Sequence, residues 1–89
     1  MLSEHEKEQI ITKLSKIDIT SDNAINILLV YDYYKQRGAT KTWIPLLGLK
    51  ASTALNLDIK TTKSALEDMC IARLIEIKSK QCRLASDEA

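Results

Sequence analysis

The stretch from Ala51 to Leu66 constrains this chain more than any other part of it, because each position in it has a packing role. Ala51 is small, as a residue must be where two helix backbones approach closely. Leu55 and Leu57 flank a turn and anchor it in the core. Asn56 occupies the turn, where Asn tolerates the left-handed conformation better than most residues with a Cβ. Asp58 follows, with an oxygen suited to the free amides at the start of a helix. Thr62 is a β-branched residue at an inward site, and Leu66, Met69 and Cys70 continue a buried stripe at i, i+3 and i+4. The pattern predicts two short helices joined by a tight turn. Beyond it, Leu74–Lys78 and Gln81–Ala85 alternate apolar and polar residues around Ser79-Lys80, which predicts a hairpin without the usual Gly or Asn at its turn.

The remainder of the 89 residues reads as helix. Ser3 followed by Glu6 is a capping box, and Ile10, Ile11, Leu14 and Ile17 recur behind it at helical spacing, so a first helix is expected to end near Lys16. Thr20, Ser21 and Asp22 offer caps for a second helix. That helix runs to Arg37, stops at Gly38, and is apolar around most of its circumference, as a central helix is. A short connector, Ala39–Lys41, leads to a third helix capped by Thr42, with Pro45 in its first turn and Trp43, Ile44, Leu46, Leu47, Leu49, Ala51 and Leu55 along it. The fourth helix is expected over Ile59–Arg73. The sum is one domain over residues 1–89, mostly α with a small β-hairpin. At this size the core is modest, and pairing is a common source of added stability.

A net charge of +1 conceals an uneven distribution. Residues 1–32 hold three lysines against six acids, whereas residues 33–63 hold six basic residues against Asp58 alone. A basic middle between acidic ends is a directional field that suits an anionic partner. The residues left facing outward at the start of the fourth helix are Lys60, Thr61, Lys63, Ser64 and then Glu67. The lysines suit phosphate contacts, and the hydroxyls suit base edges or phosphates.

Residues 38–85 resemble the winged helix-turn-helix superfamily. Ala51, Leu55, Asn56, Leu57, Asp58, Thr62 and Leu66 stand at the motif's small, apolar, turn, apolar, cap, β-branched and leucine positions. Ala72-Arg73-Leu74-Ile75-Glu76-Ile77 is similar to the family's exit from recognition helix to wing. The helix before the turn is expected to be about a turn longer than usual, and the wing is short. The resemblance implies a winged helix-turn-helix fold with an extra N-terminal helix and a DNA-reading helix at Ile59–Arg73. Phosphate contacts are implied for Lys78, Lys80 and Arg83. With the basic connector and preceding helix, the expected DNA-facing set is Lys41, Thr42, Lys50, Lys60, Thr61, Lys63, Ser64, Lys78, Lys80 and Arg83. Ile10, Ile11, Leu14, Ile17, Leu28 and Tyr31 are the expected homodimer contact, which would place two recognition helices in successive major grooves. The expected partner is double-stranded DNA, and the expected role is that of a small transcriptional repressor or of a plasmid or phage DNA-segregation adaptor. The alternative is a winged-helix protein-interaction module in a replication, segregation or secretion complex, because fold alone does not set function.

Other chemistries find little footing. Cys70 and Cys82 lack metal-ligand spacing, a single His is too few for the usual Cys/His zinc site, and both cysteines are expected in the core. His5 sits on an acidic first turn and is expected to face solvent. Glu4, Glu6 and Glu8 suit the positive end of a helix. Tyr31, Tyr33, Tyr34 and Trp43 are expected to pack rather than to stack on bases. No phosphate-cradling glycine motif and no nucleophile–His–acid set is present, so no enzymatic activity and no cofactor are expected. The acidic, polar start and the absence of a long apolar run point to a cytoplasmic or nucleoid-associated protein.

Overall fold

Seven elements follow in the order α1 (Glu4–Ser15), α2 (Ser21–Gln36), β1 (Ile44–Pro45), α3 (Gly48–Leu55), α4 (Ile59–Ile71), β2 (Ile75–Lys78) and β3 (Gln81–Leu84). The computed structural model describes residues 2–17, 21–40, 42–46 and 48–85. Thr20, Lys41, Leu47 and the tail 86–89 lie outside the described residues. The chain is mostly helical with a small three-stranded antiparallel sheet of order β1-β3-β2.

The capping box forms as read. The Ser3 hydroxyl accepts from the Glu6 amide, and the Glu6 carboxylate accepts from the Ser3 amide, each at 3.2 Å. Helix α1 then lays Ile10 and Leu14 against α2, and the ion pair between Lys35 and Glu6 ties the two helices together. Helix α2 is the centre of the molecule, touching α1, α3, α4 and β3. Its Ile27, Val30 and Tyr34 are fully buried. Helix α4 contributes Thr62, Ala65, Leu66 and Met69, spaced i, i+3, i+4 and i+7 on one buried stripe. Truncating such a side chain as Met69 to Ala typically costs about 2–5 kcal/mol.

Helices α2, α3 and α4 end in the same way, with a left-handed residue followed by a pair of backbone hydrogen bonds to the last turn. After α2 the residue is Gly38 (φ 86°), and the Ala39 and Gly38 amides reach the carbonyls of Tyr34 and Lys35. After α3 it is Asn56 (φ 56°), and the Leu57 and Asn56 amides reach Ser52 and Thr53. After α4 it is Arg73 (φ 61°), and the Leu74 and Arg73 amides reach Met69 and Cys70. This is the double-bonded Schellman termination, which satisfies carbonyls that a helix end otherwise leaves open.

Four sequence expectations change here. The segment around Thr42–Pro45 is not the start of a helix. Ile44 and Pro45 form β1, paired with Cys82 and Gln81 of β3. A residue before proline is pushed toward extended backbone, and proline is tolerated on an edge strand because it has no N–H to contribute. Helix α3 therefore begins at Gly48 and spans 8 residues, so the extra turn expected before Asn56 is absent. Asp58 occupies the N-cap position of α4 but makes no side-chain capping hydrogen bond. Cys70, placed in the buried stripe by spacing, is exposed, while Cys82 is buried. Cys70 stands one residue beyond Met69, which already completes the inward row.

Candidate nucleic-acid interface

Asn56, Leu57 and Asp58 carry the chain from α3 into α4. Ala51 is fully buried at this crossing, which lets the two helices approach. Beside it the Ser52 hydroxyl donates to Thr62 Oγ1 at 2.7 Å, a polar link inside an otherwise apolar seam. Asn23 of α2 donates to Asp68 and holds α4 from the other side. Thr62 therefore points inward as the spacing required. Lys60, Lys63 and Ser64 point outward and are exposed, and Thr61 is half-buried. They lie within five consecutive residues of one helix, a rise of about 6 Å. Lys50 is exposed on α3.

The hairpin is built on a turn whose two central residues, Ser79 (φ 49°) and Lys80 (φ 67°), are both left-handed. That is the backbone of a two-residue turn matched to the twist of the strands, here made without glycine. Lys78 and Lys80 are exposed at its end. The sheet holds this end in place, since the Leu46 amide donates to the Lys80 carbonyl at 2.8 Å. Strand β3 is bonded further along both edges. The Leu84 amide reaches the Ala39 carbonyl, and the Ala85 amide reaches Leu74.

Arg83 does not join the exposed lysines. It sits directly across from Glu76 in the β2–β3 register, pairs with its carboxylate at 3.1 Å, and stacks 4.9 Å from the centre of the Trp43 ring. Its charge serves the sheet. Thr42 is exposed, and its hydroxyl donates to the Gly38 carbonyl at 3.4 Å instead of capping a helix. Lys41 lies outside the described residues.

The expected dimer residues divide as well. Ile10 and Leu14 are each only 3% exposed, because α1 spends them on the chain's own core. They have no area left for a second copy, which corrects the expectation for these two. Leu28 and Tyr31 are half-buried against the core, and Ile17 is half-buried. Ile11 remains exposed, as do Ile25 and Leu29 of α2.

One feature of the site lies outside the expected set. A shallow, open, mostly apolar groove separates α4 from β2 and is lined by Leu46, Lys63, Leu66, Glu67, Cys70, Ile71 and Ile77. Ile71 and Ile77 are 63% and 42% exposed. Helical spacing did carry a sign of it, since Ile71 falls off the row Thr62, Ala65, Leu66, Met69. The groove also shows that Lys63 stands next to the hairpin.

The cysteines offer no reactive centre. Partial desolvation, then the Glu67 carboxylate, raises the pKa of the surface Cys70 thiol, and burial followed by the nearby Cys70 pushes Cys82 up to about 11, so both stay protonated at neutral pH. Among the described residues no cluster of three or more His, Cys, Asp or Glu side chains is placed to hold a metal ion. His5 is exposed on α1, and Tyr34 is buried with its ring edge-on to Tyr33 at 5.4 Å. Among the described residues no helix is long and apolar enough to cross a membrane. In comparisons with known proteins, no family model matches the chain, and no curated protein or solved structure matches it either.

Proposed function

We propose that this chain is a winged helix-turn-helix protein that binds duplex DNA, with α4 as the reading helix and the β2–β3 hairpin as the wing. The observation that carries the reading is the orientation of α4. Its inner side is locked to α3 through Ser52 and Thr62, and the outer side of its first two turns presents Lys60, Lys63 and Ser64. Small polar and basic groups on the leading turns of a helix suit a major groove, and Lys50, Lys78 and Lys80 suit the flanking phosphates. The chain acts as a homodimer, with Ile11, Ile25 and Leu29 supplying the apolar contact on the α1–α2 side. Its role is that of a small transcriptional regulator or a DNA-segregation adaptor, without catalytic chemistry. The exposed Ile71 and Ile77 favour a second reading, a winged-helix module that docks on a protein, since apolar anchors mark such surfaces.

Fluorescence anisotropy with mixed genomic duplex fragments at two salt concentrations separates the two readings. Binding through lysine–phosphate contacts weakens steeply with salt, by a slope of about 0.9 per contact on logarithmic axes. Lys60→Ala with Lys63→Ala should abolish binding while the fold remains. No duplex binding at low salt would leave the protein-docking module as the function.

A further inference from the structure

A second feature of α4 concerns how the reading face is covered when DNA is absent. Ile59, Lys63, Glu67 and Ile71 follow one another at intervals of four residues and are all exposed. Such a set is one of the ridges by which helices pack on each other, and over these residues it is about 18 Å long. Along the helix it reads apolar, positive, negative, apolar. Read backwards it is apolar, negative, positive, apolar. A second copy of the same helix, laid antiparallel about a twofold axis, therefore sets Ile59 against Ile71 of the other copy at both ends. In the middle it sets Lys63 against Glu67 of the other copy, twice. A contact of this kind is self-complementary and closed by its own symmetry.

Two further observations point the same way. Among the described residues neither Lys63 nor Glu67 makes an ion pair within its own chain. The pair they offer inside one helix has the lysine N-terminal to the glutamate, the weaker of the two orientations. Beside Ile71, moreover, the groove gives an apolar floor of Leu46, Cys70 and Ile77 on which Ile59 of the second copy can sit. We infer that α4 pairs with α4 of a second copy through this ridge. The pairing covers Lys63 and the outer side of the helix. Self-association and duplex binding are then mutually exclusive, a regulatory consequence that rests on the DNA reading above. The contact is separate from the one on the α1–α2 side.

Charge exchange tests it. Sedimentation equilibrium at low salt is run on the wild type, Lys63→Glu, Glu67→Lys and the double exchange, with thermal melts to show that all four fold. Each single reversal turns two attractive pairs into two like-charge contacts and should weaken association by roughly tenfold or more. The double exchange should restore it. Any contribution from the α1–α2 side is common to all four. Equal masses for all four, a wild type that stays monomeric at every concentration, or a double exchange as weak as the singles would overturn the pairing. Duplex binding is measured in parallel on Glu67→Lys, which should bind at least as tightly as the wild type because its reading face is released. Rescue by the double exchange without duplex binding would uphold the pairing and remove the DNA reading. Duplex binding with unchanged masses would do the reverse.

Discussion

The hydroxyl of Ser52 donates a 2.7 Å hydrogen bond to Thr62 Oγ1, and this buried bond joins α3 to α4 at the point where the two helices cross. Ser52 is 4% exposed and Thr62 not at all, so water cannot replace either partner. Thr62→Val keeps the shape but removes the acceptor, and should cost about 1–3 kcal/mol in urea unfolding. Ser52→Ala with Thr62→Val should cost less than the sum of the single changes, by about 0.5 kcal/mol or more, because the groups act on each other. Strict additivity would show that the bond does not couple the helices.

The left-handed Arg73 predicts a stabilising change. An L residue with a Cβ is strained at φ 61°, and glycine is not. Arg73→Gly should raise stability by roughly 0.5–1 kcal/mol, a shift of several degrees in Tm for a domain this small. Arg73→Ala removes the same charge and keeps the strain, so it should leave Tm nearly unchanged. Equal effects from the two would mean that the charge, and not the backbone, sets the energy.

Arg83 and Lys80 should separate stability from binding. Arg83→Ala loses the Glu76 pair and the contact over the Trp43 ring, and should destabilise the fold by about 0.5–1.5 kcal/mol. It should leave the salt dependence of duplex binding as it was. Lys80→Ala should leave stability nearly unchanged and lower the salt slope by about one contact. Thermal melts and anisotropy on the same samples check both.

The link between α1 and α2 predicts a pH dependence. The Lys35 ammonium, and then the Ser3 amide, hold the Glu6 carboxyl below the ordinary glutamate range. A folded value below the unfolded one means that the ionised group stabilises the fold above the unfolded pKa, and that this is lost as pH falls through the folded value. Glu6→Gln should therefore be the less stable protein at pH 7. The difference should vanish well below pH of about 4, where both forms are neutral. Both partners are about one-third exposed, so the effect at pH 7 should be under about 1 kcal/mol. A difference that persisted below the pH at which the folded Glu6 carboxyl itself titrates would mean that Glu6 acts through packing.

Local chemistry was legible in the residues themselves. The Ser3–Glu6 box, the turn at Asn56, the stripe from Thr62 to Met69 and the strands on either side of Ser79-Lys80 each depend on neighbours within a few positions. Spacing alone was enough to read them. The outward set Lys60, Lys63 and Ser64 followed from the same stripe, because a helix that buries one row must expose the opposite one. The left-handed Ser79, Lys80 and Arg73 carry no glycine signature. Contacts elsewhere hold them in place, including the Leu46 amide on the Lys80 carbonyl and the burial of Leu74 behind Arg73.

The sequence by itself thus determined α1, α2 and α4, the α3–α4 turn and the face that α4 turns outward, since a helix closes its hydrogen bonds within its own segment, but not where α3 begins. Tertiary structure decided the rest. Ile44 and Pro45 became a strand because β3, nearly forty residues further along, had an open edge that needed partners. Arg83 is engaged within the sheet because register set it opposite Glu76 and its guanidinium over the Trp43 ring. Ile10 and Leu14 went to the core and Ile11 to the surface because α2 was already in place to receive one side of α1. Strand pairing and helix docking join residues remote in sequence, and no local pattern encodes which distant surface will be there.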